Sequence, residues 1–149
     1  MASHSYPKVY LYRRVVQAKL FIDHHFADDI DLNNISDEAY FSKFHFIRLF
    51  KKIYGKTPHQ YLIWVRLEKA MELLKHGSTV SEACYAVGFE SVGSFSALFK
   101  RAAGASPSAF QEAQEQIKKQ ISRSPLNFVP GCFIYQYNLH ENSNFGETV

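Results

Sequence analysis

The feature that most constrains this chain is that it resembles itself at a spacing of 49 residues. The segment 41–61, FSKFHFIRLFKKIYGKTPHQY, lies over 89–110, FESVGSFSALFKRAAGASPSAF. Under that shift Phe46 meets Phe95, Leu49 meets Leu98 and Phe50 meets Phe99. Lys51 meets Lys100, Lys52 meets Arg101, and Gly55 meets Gly104. Thr57-Pro58 meets Ser106-Pro107, and Tyr61 meets Phe110. One extra residue in the second turn sets Phe41 over Phe89 at a shift of 48. Two copies make a duplicated motif, not a solenoid, and each copy has to be solved by the same local structure.

That structure reads as helix, turn, helix. In the first copy Asp31 caps a helix expected over 32–39, a turn follows at Tyr40-Phe41, and Ser42 caps a helix to about residue 54 that Gly55 ends. In the second copy Thr79 and Glu82 have capping-box spacing for a helix to about residue 87. Gly88 makes the turn, and a helix over 91–103 stops at Gly104. Thr57-Pro58 and Ser106-Pro107 are cap-plus-proline starts. The first opens a long helix to about residue 76, closed by Gly77, and the second a helix to about residue 120. With a helix over 7–26 the total is seven. The expectation is an all-α fold of two tandem helix-turn-helix subdomains, 7–57 and 77–120, joined by a linker helix over 58–76. A non-helical tail, 121–149, contains Pro125, Pro130 and Gly131, with a short strand conceivable at 132–137. Its apolar run, Phe128, Val129, Phe133, Ile134, Tyr135 and Tyr137, is too greasy to stay fully solvated. The 149 residues, with 13 Phe and 9 Tyr, supply a core, and only 7 Gly and 5 Pro suit helices.

The second helix of each copy carries the chemistry. Phe46, Leu49, Phe50 and Ile53 recur at helical spacing and are expected to be buried. Phe44, Ile47, Arg48 and Lys51 form the opposite stripe. Arg48 suits a bidentate pair to a guanine edge, Phe44 and Ile47 suit thymine methyls, and Lys43, Lys51 and Lys52 suit phosphates. The bland alternative is that Phe44 and Ile47 only widen the core. In the second copy the buried stripe is Phe95, Leu98, Phe99 and Ala102. Its outer stripe, Gly93, Ser96, Ala97 and Lys100, allows close approach but offers few base-reading donors, with Val92, Ser94 and Ser96 as the remaining readers.

Charge points the same way. The net charge is only +3, but residues 42–56 hold five cations (Lys43, Arg48, Lys51, Lys52, Lys56) and no carboxylate. Residues 91–111 hold Lys100 and Arg101 and no carboxylate. Such clustering is the footprint of a phosphate-binding face, although a solvated helix face gives the same count. A linker of this length spans roughly 28 Å, near the ~34 Å between successive major grooves on one face of a duplex.

Other chemistries lack material. There is no Gly-rich phosphate loop, no GxSxG, and no helical His/Glu metal pair with an evident third ligand. No catalytic residues, metal or cofactor are expected, and the chain is not expected to be an enzyme. His24 and His25 are adjacent and read as surface groups near a helix end. Cys84, among Ala83, Ala86 and Val87, reads as a core thiol. Cys84 and Cys132 are far apart and fit a reducing compartment. The N-terminus has no apolar signal region, and no apolar run approaches the ~18 residues of a membrane span. The expected location is therefore the cytoplasm, on the nucleoid, with no membrane partner.

The second copy, with Arg66-Leu67-Glu68-Lys69-Ala70 upstream and then Ala83, Ala86-Val87-Gly88-Phe89, Phe95, Phe99-Lys100, Gly104 and Ser106-Pro107, resembles the AraC/XylS family of bacterial transcription regulators. The resemblance covers about residues 8–120. It implies two helix-turn-helix subdomains on a linking helix, and gene activation by contact with RNA polymerase. It also implies that the second helix of each unit enters a major groove. The DNA-contact set is then Ser42, Lys43, Phe44, Ile47, Arg48, Lys51 and Lys52 in the first unit. In the second it is Ser91, Val92, Gly93, Ser94, Ser96, Ala97, Lys100 and Arg101. Tyr40 stands where the family often has Gly, and Gly93 and Ala97 where it often has polar or basic readers. No separate effector domain fits, so the chain reads as a stand-alone DNA-binding member or a detached half. Two reading heads on one chain predict a monomer on DNA. The rival expectation is a helix-turn-helix interaction module without specific DNA binding.

Overall fold

The structure is a computed structural model that describes residues 6–31 and 43–128, with side chains from Val9 onward. Six α-helices lie among the described residues: α1 (Tyr6–His25), α2 (Lys43–Tyr54), α3 (Pro58–Lys75), α4 (Val80–Ala86), α5 (Val92–Ala103) and α6 (Pro107–Arg123). A 3-10 turn, Pro125–Phe128, follows α6. There is no strand among these residues. The helix expected over 32–39, the Tyr40-Phe41 turn and the Ser42 cap lie outside the described residues, as does the tail from residue 129.

Helix ends follow the repeat. Gly55 and Gly104 both stop their helices at positive φ, +73° and +79°. Each donates its N–H to the carbonyl four residues back, Lys51 at 2.8 Å and Lys100 at 2.9 Å. A side chain there would strain the backbone, which is why the two copies share glycine. Both α3 and α4 open on complete capping boxes. Thr57 Oγ1 accepts from Gln60 N at 3.2 Å while Thr57 N donates to Gln60 Oε1 at 3.0 Å. Thr79 Oγ1 accepts from Glu82 N at 3.2 Å while Thr79 N donates to the Glu82 carboxylate at 2.7 Å. Those bonds hold the Glu82 pKa below the usual carboxylate value.

α3 is the element on which both halves pack. It lies against α1 and α2 on one side and α4 on the other, and α4 lies against α5. Its buried residues form two stripes. Tyr61, Leu62 and Val65 join Val15, Ala18 and Ile22 of α1 and Phe46 and Phe50 of α2 in the first core. Leu67, Ala70 and Leu74 are buried farther along the helix, roughly 170° around its axis from the first three at ~100° per residue. The second half buries Ala83, Cys84 and Val87 with Phe89, Phe95 and Phe99. Burial pushes the Cys84 thiol up, the behaviour of a core group.

The chain falls into two compact units, residues 1–107 and 108–149. The second contains most of α6, which runs three residues past its expected end. Ser124 N bonds Gln120 O at 2.8 Å and Asn127 N bonds Ser124 O at 3.2 Å, carrying the chain into the 3-10 turn.

Candidate nucleic-acid interface

Burial along α2 separates two faces. Phe46 and Phe50 are buried, at 2% and 0% exposure, whereas Phe44 is 76% exposed. Phe44 therefore does not widen the core. Ile47 is half-buried and packs against the first core with one side, so it serves both faces. Lys43, Arg48, Lys51 and Lys52 are exposed. One expected core position is corrected: Ile53 is exposed. Tyr54 packs in its stead, its ring 4.8 Å from Phe50 and 5.9 Å from Tyr61. The last turn of α2 is covered toward α3, so the buried stripe drifts one residue onward.

α5 repeats the pattern under the shift of 49. Phe95 and Phe99 are buried, Ser96 is half-buried as Ile47 is, and Gly93, Ala97, Lys100 and Arg101 are exposed as Phe44, Arg48, Lys51 and Lys52 are. Ala102, expected in the core, is exposed like Ile53, and Ala103 is half-buried like Tyr54. Ser91 caps the helix, its hydroxyl accepting from Ser94 N at 3.2 Å. Val92 is half-buried beside the cap. Ser91 and Ser94 also line an open cleft of about 580 Å³ beside Arg66, Asp29 and Glu90. The two helices thus present equivalent faces with different contents: a phenyl, a guanidinium and lysines on α2, and small side chains ahead of a Lys-Arg pair on α5.

Two lysines outside these faces are ion-paired. Lys19 is bonded to Asp23 at 2.6 Å and Lys69 to Glu72 at 3.0 Å. Among the described residues Arg48, Lys51, Lys52, Lys100 and Arg101 have no acidic partner. A row of cations left without carboxylates keeps its charge for an external anion.

Two groups that sequence reasoning did not place stand beside these helices. Arg66, on α3, donates from Nε to Phe26 O at 2.6 Å and from Nη2 to Asp28 O at 2.9 Å, and its guanidinium lies 5.7 Å from the Phe89 ring centre. Burial lowers its pKa while Asp29 and Glu90 pull it back up; an arginine stays charged through such a shift. Lys56, counted in the basic cluster but given no role, sits 5.4 Å from the ring centre of Trp64. Among the described residues no group of His, Cys, Asp and Glu is placed to hold a metal ion, and no helix is long and apolar enough to cross a membrane.

A family described as a helix-turn-helix domain matches residues 35–113. The probable transcriptional regulator LumQ of Photobacterium leiognathi is 35% identical over 92 residues, 61% of this chain and 37% of its own length. The HTH-type transcriptional activator RhaS of Escherichia coli O1:K1 / APEC is 32% identical over 96 residues, 64% of this chain and 34% of its own. The chain thus spans about a third of the length of these relatives. Among solved structures, the DNA-binding domain of the global transcriptional factor AdpA, in complex with a target DNA, superposes with a TM-score of 0.62 at 28% identity. That match covers 74% of this chain and 96% of the other.

Proposed function

This chain belongs to the AraC/XylS family of helix-turn-helix transcription regulators, and on that premise we propose that it binds double-stranded DNA at specific sequences and so regulates transcription. The reading helices are α2 and α5, set in adjacent major grooves from subdomains 7–57 and 77–120 on either side of the linker. Arg48 reads a guanine edge, and Phe44 and Ile47 lie against thymine methyls. Lys43 at the helix start, Lys51, Lys52 and Ser42, which precedes Lys43 in sequence, hold phosphates. On α5, Ser91, Val92, Gly93, Ser94, Ser96 and Ala97 bring the backbone close to the bases, and Lys100 and Arg101 hold phosphates.

The observation that carries this reading is Phe44. Phe44, 76% exposed, is the most exposed large hydrophobic among the described residues, and it shares one stripe with Arg48 and Lys51, which have no acidic partner among those residues. It fits a groove that offers methyl groups and acceptors side by side. Gene activation and contact with RNA polymerase belong to the same proposal, supported by the relative named as a transcriptional activator.

A second reading, an interaction module without specific DNA binding, is favoured by the bare face of α5. Salt-titrated binding to mixed-sequence duplex separates the two. Phosphate neutralisation gives log affinity a slope of about −0.9 per contact against log salt, so a DNA binder shows a slope of several units and an interaction module none.

A further inference from the structure

The first copy of the repeat carries a device that the second lacks. Trp64 is the single tryptophan of the chain, and it stands half-exposed on α3, at 41%. Its ring continues an aromatic series that starts in the core. Phe50 lies 5.7 Å from Tyr61, edge to face, and Tyr61 lies 5.6 Å from Trp64. Tyr61 is itself fixed by donating its hydroxyl to Asp23 at 2.9 Å. The half-buried Lys56 ends the series, its ammonium 5.4 Å from the Trp64 ring centre. Among the described residues no carboxylate pairs with Lys56. At the equivalent positions, 49 residues on, the second copy has Ala105 and Ala113.

We propose that Lys56 and Trp64 form a phosphate clamp, in which the indole face holds the lysine extended toward the DNA backbone beside the C-terminal end of the reading helix α2. This rests on the DNA reading given above. The base-reading stripe occupies the first turns of α2, at Phe44, Ile47 and Arg48. Its last turn carries Lys51 and Lys52, and Gly55 turns the chain straight into Lys56. A helix of 12 residues is roughly 18 Å long, and the major groove is only about 12 Å wide. A helix that sets its first turns among bases therefore brings its last turn against a sugar-phosphate strand. An aromatic face attracts an ammonium electrostatically yet forms no bond that must break before a phosphate is met. A carboxylate partner would compete with the phosphate for the same charge. Lysine is otherwise a flexible cation; ring and core together orient this one. Because the second copy has alanine at both positions, the clamp anchors the sequence-reading half alone and sets the register from which Arg48 works.

The test uses the full chain and a mixed-sequence duplex over a salt titration, with wild type, Lys56→Gln, Trp64→Leu and the double variant. Lys56→Gln lowers the salt slope by about 0.9 and weakens binding about eightfold at 0.1 M salt, the value of one phosphate contact. Trp64→Leu keeps the slope, because the charge remains, and weakens binding roughly two- to fivefold through lost orientation. The double variant binds no worse than Lys56→Gln alone, since the ring acts only through the lysine. Lys69→Gln, on the far side of α3 and already paired with Glu72, leaves the slope unchanged. A measurement that needs no variant runs beside these: saturating duplex shields Trp64 from acrylamide quenching. A wild-type chain with no salt-dependent affinity defeats the DNA reading, and the clamp with it. A steep wild-type slope that Lys56→Gln does not reduce, or Trp64 quenching unchanged on saturation, overturns the clamp alone.

Discussion

Arg66 and Gly88 define the joint between the two halves. A Cβ at Gly88 would lie 3.0 Å from Arg66 Nη2 and 2.7 Å from the carbonyl oxygen of Ala27, at a φ of +90°. The turn of the second copy is pressed onto the loop after α1, and Arg66 fills the remaining space, bonded to two carbonyls of that loop and lying over Phe89.

Both residues are therefore stability positions. Gly88→Ala meets backbone as well as an unfavourable φ and destabilises by about 2–3 kcal/mol. Arg66→Gln loses charged hydrogen bonds and a stacked ring, about 2–3 kcal/mol, and Arg66→Lys restores little because an ammonium lacks the fork. Gly93→Ala is the contrast. It lies inside α5 with nothing near its Cβ position and raises stability by about 0.5–1 kcal/mol. Urea unfolding of the four variants gives the order.

The Tyr61–Asp23–Lys19 group gives the fold an alkaline limit. Burial first, and then its bond to Asp23, raises the Tyr61 pKa from near 10.0, and the bond to Asp23 raises that of Lys19 from near 10.5. Both groups are favoured protonated in the folded chain. Their contribution is fully present below pH 10 and is lost as pH rises through the folded values. Melting temperature should hold from neutral pH to about 9 and fall beyond 10. Tyr61→Phe should cost about 1 kcal/mol at pH 7 and flatten that fall. An alkaline fall of equal depth in Tyr61→Phe would remove Tyr61 as its source.

Much of the fold was legible because each copy repeats the other's local signals. Gly55 and Gly104, the two helix starts at Pro58 and Pro107, and Phe46/Phe50 against Phe95/Phe99 all occupy the places that their spacing implies. The linker helix was legible in its ends but not in its packing. Its two buried stripes lie on nearly opposite sides, so no single amphipathic face appears in the sequence. The failures at Ile53 and Ala102 have a related cause: periodicity tells which side is apolar, not where the covering helix ends. Arg66 reaches carbonyls 38 and 40 residues away, and Lys56 meets a ring eight positions on across a turn. Neither spacing is a helical one, so only the fold brings these pairs together. The exposed stripe at Phe44 and Arg48 was readable, because one helix contains it whole.

The unequal reading faces predict an unequal binding motif. Gly93 and Ala97 are exposed without side-chain donors, so the second unit should position the chain more than it selects sequence. Exchanging Ala97 for Ser, or Ser96 for Ala, should leave a selected binding motif essentially unchanged. A motif with two equally informative half-sites would show that α5 reads bases after all.

If α2 and α5 both read DNA, as proposed, no second chain is needed to supply the second head. One chain per site is expected on a minimal, asymmetric operator, and a chain ended after Phe128 should bind with the same stoichiometry. Analytical ultracentrifugation on a labelled duplex gives the count. A 2:1 complex on the minimal site would overturn the monomeric reading, and loss of binding by the folded, shortened chain would place residues 129–149 in the interface.

The most direct test is Arg48→Ala measured on two duplexes, a site selected from random DNA and the same site changed at one G·C pair, with Lys51→Ala beside it. If Arg48 reads a guanine edge, its loss costs about 1–3 kcal/mol on the selected site and removes the preference for that pair. Lys51→Ala should instead weaken both duplexes by one factor and lower the salt slope by about 0.9. Equal weakening of both duplexes by Arg48→Ala, with the base-pair preference intact, would contradict sequence reading by α2.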